Sequence, residues 1–193
     1  PTSRTEAAVA GKDGAAPYQV TPAMETILFF SALVCLALLW LTPRPIGDLF
    51  ISLAAGRDIL TDGLYHPDTG SFTTAGRVWI NQNWGSHLLF YGVYRFCGPG
   101  GLLVLKFLLI TACSVLTALA AQEKGVPFFV SLAVSAWVFF WMYDYVDLRP
   151  NLVFFTLVAL NLWFLYGAGR RPARLWWLCL ILPAWANLHG SFV

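Results

Sequence analysis

A small set of residues in this sequence has side chains that can move a proton or bind a charged ligand. In chain order they are Asp48, His66, Asp68, Arg149, Asn187 and His189. Most of the surrounding sequence is apolar, and ionisable residues in such surroundings predict a functional site.

Several of these residues also have a purely structural interpretation. Asp48 precedes an apolar periodic segment, so it could cap a helix N-terminus. Asp68, within His-Pro-Asp-Thr-Gly, is typical of an Asx turn. Arg149 precedes a proline, which is the pattern of a helix start. Asn187 and His189 fit an apolar helix less well, because each needs a polar partner inside the protein.

The sequence contains none of the common soluble-enzyme motifs. We find no G-x-S-x-G, P-loop, H-E-x-x-H or G-x-G-x-x-G pattern. The four cysteines stand singly, and no two of the three histidines lie four residues apart. These spacings predict neither a disulfide framework nor a structural zinc site.

Composition indicates a multi-pass membrane protein. Of 193 residues, 58% are hydrophobic and 11% are charged, whereas about 25% are charged in a soluble domain. The mean hydropathy is +0.65. A net charge of +2 gives no basic surface for nucleic acid.

The apolar runs predict an all-α bundle of about five spanning helices. Residues 1–22 read as a flexible tail, and the runs cover residues 24–42, 101–121, 126–143, 152–167 and 175–193. At about 1.5 Å per residue, runs of this length approach the thickness of a bilayer.

Residues 43–100 interrupt this pattern and predict a large outer loop. Within it, residues 46–60 carry an apolar stripe formed by Ile46, Leu49, Phe50, Leu53 and Leu60. Residues 84–96 are aromatic-rich and end at Gly-Pro-Gly. Both segments are too short to span, so we predict two helices lying in the membrane interface.

Basic residues in short loops predict the orientation. Arg170, Arg171 and Arg174 share one turn, and Lys124 lies in another. We therefore place the N-terminus and these turns in the cytoplasm. Asp48, Arg149 and His189 should then share a cavity on the opposite side.

Short motifs follow one another along the chain at 47–48 (GD), 55–60 (AGRDIL), 66–68 (HPD), 71–73 (SFT), 76–79 (GRVW) and 83–84 (NW). LRPN at 148–151 and WANLHGSF at 185–192 follow. In this order and spacing, over about residues 24–193, the chain resembles bacterial membrane proteins of the type C glycosyltransferase (GT-C) superfamily.

The resemblance implies a transfer reaction on the non-cytoplasmic face of the bacterial cytoplasmic membrane. Such enzymes move a sugar from a polyprenyl-phosphate carrier to an acceptor. Asp48 matches the acidic residue that serves there as base or as ligand of a divalent metal. Arg149 would pair with the lipid phosphate, and His66, Asp68, Asn187 and His189 would line the substrate site.

A second interpretation remains open. Members of that superfamily usually carry many more transmembrane helices, so we expect these 193 residues alone to be inactive. The alternative is a non-catalytic subunit of a larger photosynthetic or respiratory membrane complex. Its apolar helices would then pack against partner subunits, pigments or lipids.

Overall fold

A computed structural model describes residues 21–41, 46–68 and 70–192, and about three quarters of these are helical. The all-α prediction is therefore confirmed. Besides helices, these residues contain one isolated bridge between Pro67 and Val78. Nearly all of the predicted tail, residues 1–22, lies outside the described residues.

Six α-helices and two short 3-10 helices make up the described fold. The α-helices are α1 (Pro22–Leu41), α2 (Gly47–Asp62), α3 (Trp84–Gln122), α4 (Phe128–Trp141), α5 (Pro150–Gly167) and α6 (Leu178–Leu188). The 3-10 helices cover Pro172–Trp177 and Gly190–Phe192.

Three helices, α1, α3 and α5, are long and apolar enough to cross a membrane. The other two predicted spans are shorter as helices, since α4 has 14 residues and α6 has 11. Large side chains such as Phe30, Leu108 and Trp137 lie at least half exposed on the outer surface of the bundle. Such a surface is suited to lipid, and the protein is membrane-embedded.

Helix α3 joins two segments that the sequence separates. It contains residues 84–96, predicted as an interfacial helix, and 101–121, predicted as a span. The two parts meet at a kink where Gly98 adopts φ 65° and is followed by Pro99. Glycine tolerates a positive φ, and proline cannot donate a backbone hydrogen bond, so the helix bends at this point.

Helix α3 is the centre of the bundle and packs against α2, α4 and α5, while α1 packs against α4. The core contains Phe90, Ile110, Ala136 and Leu152, each fully or almost fully buried.

The α2–α3 contact uses small residues. Ser52 and Ala55, which lie off the predicted apolar stripe, are buried in α2 together with Gly56. A Cβ atom on Gly56 would overlap the backbone oxygen of His87. The small residues therefore allow the two backbones to approach closely, as in other membrane helix pairs.

The two groups of charged residues lie at opposite ends of α5. At its start, Arg149 contacts Asp48, and Asn151 contacts His189. At its end, Arg170 and Arg174 contact Glu123. Because 18 helical residues span about 27 Å, the two groups lie at ends of the bundle that are about that far apart. That they face opposite sides of a membrane stays a prediction. The orientation of α2 relative to the membrane plane stays a prediction.

Candidate functional site

Asp48 lies in the first turn of α2 rather than at its cap. The N-cap residue is Ile46, so the interpretation of Asp48 as the capping residue is wrong. A carboxylate in the first turn is still favoured, because the backbone N–H groups there carry a partial positive charge. The Asp48 side chain is 55% exposed and therefore open to a ligand.

Arg149 immediately precedes α5, which starts at Pro150 as the sequence predicts. Its Nη1 atom lies 3.4 Å from Oδ2 of Asp48. Its Nε atom is buried, and no acceptor reaches it among the described residues. A buried N–H without a partner is costly, so this atom is a candidate to bind a ligand oxygen.

Asp48 and Arg149 line one cavity of about 380 Å³. The cavity lies where the starts of α2, α3 and α5 meet the loop before α3. Its wall is mostly uncharged and polar, and contains Ser52, Trp79, Asn81, Gln82, Asn83, His87 and Asn151, with Ile51, Ile80 and Pro150 as the apolar part.

His87 is the functional candidate that the sequence did not single out. Its side chain is 5% exposed and lines the cavity. The Nδ1 atom lies 2.9 Å from Nδ2 of Asn81, and the ring packs beside Trp79. In the sequence His87 is one polar residue in an aromatic-rich helix, and nothing local marks it as a cavity residue.

His189 lies beside the cavity and is joined to its wall. Its Nε2 atom is 2.8 Å from Oδ1 of Asn151, a cavity residue. Its Nδ1 atom accepts the backbone N–H of Ser191 at 3.1 Å, so Nε2 carries the proton and donates to Asn151. The ring stacks on Phe154 at 5.1 Å between centroids. His189 thus positions Asn151.

Asn187 joins the end of α6 to the start of α3. Its Oδ1 atom accepts a hydrogen bond from Nε1 of Trp84 at 3.1 Å. Next to it, Ser86 donates to the backbone oxygen of Leu188 at 2.6 Å, and the backbone N–H of Gly190 donates to Oδ1 of Asn83 at 2.9 Å. The segment 187–190 therefore fixes the cavity wall rather than lining it.

His66 and Asp68 lie in the loop between α2 and α3 and are not among the residues that line the cavity. Asp68 accepts hydrogen bonds from the Thr74 hydroxyl and from the Gly70 and Ser71 amides. The Thr74 bond, followed by the Gly70 amide, holds the pKa of Asp68 below its ordinary value. Asp68 therefore forms the turn that its sequence suggested, and a role in substrate binding stays a prediction.

His66 closes the same loop. Nδ1 of His66 donates to the backbone oxygen of Pro67 at 2.9 Å, and the ring meets Trp79 edge to face. Because Trp79 lines the cavity, His66 supports its wall from behind.

The cavity is a poor site for a divalent metal. In the part of the chain that the structure describes, no three His, Cys, Asp or Glu side chains come together. Among the described residues that line the cavity, Asp48 supplies the one carboxylate. The guanidinium of Arg149 already pairs with that carboxylate and would compete with a metal cation for it. The residues present do not fit the metal that the GT-C resemblance leaves open.

Comparison with known proteins identifies no similar protein. The chain matches no protein-family model, no curated protein and no solved structure.

Proposed function

We propose that this chain is a GT-C-like glycosyltransferase module of the bacterial cytoplasmic membrane, with a cytoplasmic N-terminus. As part of a larger enzyme, the module serves the transfer of a sugar from a polyprenyl-phosphate carrier on the non-cytoplasmic face. The observation that carries the proposal is the pairing of Asp48 with Arg149, at 3.4 Å, in a polar cavity at one end of an apolar bundle.

The two side chains suit the two halves of the reaction. An acceptor hydroxyl loses its proton to the Asp48 carboxylate as its oxygen bonds to the anomeric carbon of the sugar. The bond from that carbon to the carrier phosphate breaks, and its electron pair stays on the phosphate oxygen. Arg149, with its Nε–H unpaired, stabilises the charge that develops there.

The surroundings of the cavity suit a lipid carrier. Two of its wall residues, Ile51 and Ile80, are largely exposed, at 59% and 77%. The outer surfaces of α1 and α3 also carry many exposed apolar side chains. A polyprenyl chain can lie against such surface while its phosphate reaches Arg149.

A variant in which the Asp48 carboxylate is replaced by an amide tests the proposal. The protein is produced in bacterial membranes with the whole reading frame that contains these residues, and transfer from a radiolabelled polyprenyl-phosphate sugar is measured. Asp48→Asn should abolish transfer, because an amide cannot accept the proton. The matched control is Asp58→Asn in the same helix, whose carboxylate pairs with Arg57 outside the cavity. Transfer by the Asp48→Asn protein at the control's rate would exclude Asp48 from the chemistry.

A non-catalytic membrane subunit is the second candidate. It is supported by an apolar groove of about 530 Å³ between α1 and α4, lined by Leu28, Ala133, Val134, Trp137, Val138, Trp141 and Met142. A helix of a partner subunit would fit such a surface. Co-purification in fixed ratio with a large membrane complex, without sugar transfer, would favour this candidate.

A further inference from the structure

We infer that His87 is a second phosphate-binding residue of the cavity and donates its Nε2–H to the phosphate that Arg149 contacts. This inference rests on the proposed function and adds a residue to its donor-lipid site. It is carried by a chain of hydrogen bonds that defines where the His87 proton lies.

This series of hydrogen bonds begins with the orientation of the Asn81 amide. Oδ1 of Asn81 accepts the backbone N–H of Asn83 at 3.0 Å. The Nδ2 atom of Asn81 then faces Nδ1 of His87 at 2.9 Å. An amide nitrogen only donates, so Nδ1 of His87 must be the acceptor.

This contact decides the protonation state of His87. A protonated Nδ1 would set two donors against each other, so the imidazole is neutral and carries its proton on Nε2. Burial points the same way, since the side chain is 5% exposed and an unpaired buried charge is costly. His87 therefore offers one N–H donor and has no free lone pair with which to act as a base.

No partner for Nε2 of His87 is found among the described residues. Two side chains of the cavity wall thus carry an N–H group without an acceptor in the described part of the chain. For Arg149 this is the buried Nε. For His87 it is Nε2, because the hydrogen bond of its ring is made through Nδ1. A phosphate monoester or diester presents several acceptor oxygens and can satisfy both. Each bond to its charged oxygens is stronger than a neutral bond.

The test uses the purified protein in detergent, produced with the whole reading frame that contains these residues, and farnesyl phosphate is the probe. Farnesol is the matched ligand without the phosphate, and inorganic phosphate is the matched ligand without the lipid. Binding is measured by calorimetry for the wild type, Arg149→Gln, His87→Phe and His87→Gln. Phenylalanine keeps the ring but removes the donor, and glutamine places an amide N–H near the position of Nε2.

His87→Phe should weaken binding of farnesyl phosphate about tenfold or more, and leave farnesol binding unchanged. His87→Gln should retain binding within about threefold of the wild type. Equal weakening for farnesol and farnesyl phosphate would mean that His87 only packs, and would overturn the inference. Tight binding of inorganic phosphate alone would identify a site for free anions and would overturn the lipid assignment.

The results for Arg149 separate this inference from the proposed function. If Arg149→Gln loses binding while His87→Phe binds as the wild type does, the His87 inference fails and the proposed function stands. If the wild-type chain does not bind farnesyl phosphate, both fail.

A measurement on the wild type covers the case in which His87→Phe does not fold. Nitrogen-15 NMR of labelled histidines distinguishes protonated from unprotonated ring nitrogens, and His87→Gln assigns the signal among the three histidines. The Nε2–H form should be present without ligand, and its signal should shift with farnesyl phosphate. An Nδ1–H form, or a signal that the phosphate does not move, would overturn the inference.

Discussion

The Nζ atom of Lys106 lies 2.9 Å from Oδ1 of Asp147 in the interior of the bundle. The two side chains are 6% and 3% exposed and come from α3 and from the loop between α4 and α5. Asp147 stands two residues before Arg149, so this ion pair anchors the segment that carries Arg149 into the cavity.

The first prediction concerns this pair. Lys106→Met or Asp147→Leu alone should lower the free energy of unfolding by about 3 kcal/mol or more, because each leaves an uncompensated buried charge. Thermal unfolding of the purified variants in detergent measures the loss.

The double variant Lys106→Met/Asp147→Leu is the control. It removes both charges, so its stability should return to within about 1–2 kcal/mol of the wild type. Losses that simply add in the double variant would show that the charges do not interact.

The sequence predicted which residues share one end of the bundle better than it predicted which side chains pair in its interior. Asp48 and Arg149 were expected to share a cavity, because each stands at the outer end of an apolar run. The partner of Lys106 was not predictable, since Asp147 is 41 residues away and a lone lysine in an apolar run has no preferred partner. His87 was missed for a related reason, because only the tertiary contact with Asn81 distinguishes it from any other polar residue of its helix.

The second prediction concerns the close approach of α2 and α3. Gly56→Ala should destabilise the protein by about 1–3 kcal/mol, because the new Cβ would overlap the backbone oxygen of His87. Gly92→Ala in α3 is the matched control. A Cβ at Gly92 meets no described atom within 4 Å, so this change should be neutral or slightly stabilising. Equal unfolding temperatures for both variants would contradict the close approach of α2 and α3 at Gly56.

The third prediction separates two arginines that share Glu123. Nη1 of Arg174 lies 2.6 Å from the carboxylate, and its side chain is 15% exposed and packs on Trp163. Nη1 of Arg170 lies at 3.3 Å, and its side chain is 73% exposed. Arg174→Gln should therefore cost about 1–3 kcal/mol of unfolding free energy, and Arg170→Gln less than about 1 kcal/mol. Chemical denaturation in detergent compares them, and a larger cost for Arg170→Gln would be inconsistent with these contacts.

The fourth prediction concerns acid sensitivity of the loop that contains Asp68. Hydrogen bonds from Thr74, Gly70 and Ser71 lower the pKa of this carboxyl in the folded loop below about 3.8. The unfolded loop therefore binds the proton more readily than the folded loop. The contribution of the ionised Asp68 carboxylate to loop order is therefore complete above about pH 3.8, and it is lost as the pH falls below that value.

Hydrogen exchange of residues 66–79 can follow this loss. Exchange, corrected for its intrinsic pH dependence, should accelerate as the pH falls below about 3.8. Asp68→Asn should show faster exchange already at neutral pH, because it lacks the charge that strengthens the Thr74 bond. Unchanged protection in that variant would mean that the carboxylate does not order the loop.

The last prediction tests whether the cavity and the basic turn face opposite sides of the membrane. Phe72 in the loop between α2 and α3 is 96% exposed, and Arg171 in the turn after α5 is also exposed. The native cysteines are Cys35, Cys97, Cys113 and Cys179, and all four are replaced by alanine. In this background, Phe72→Cys should react with a membrane-impermeant maleimide in intact bacterial cells. Arg171→Cys should react only after the cells are permeabilised, because about 27 Å of α5 separates the two ends of the bundle.

Labelling of both positions in intact cells would mean that α5 does not cross the bilayer. Labelling of Arg171→Cys alone would place Asp48 and Arg149 in the cytoplasm, and the proposed transfer on the outer face would then be wrong.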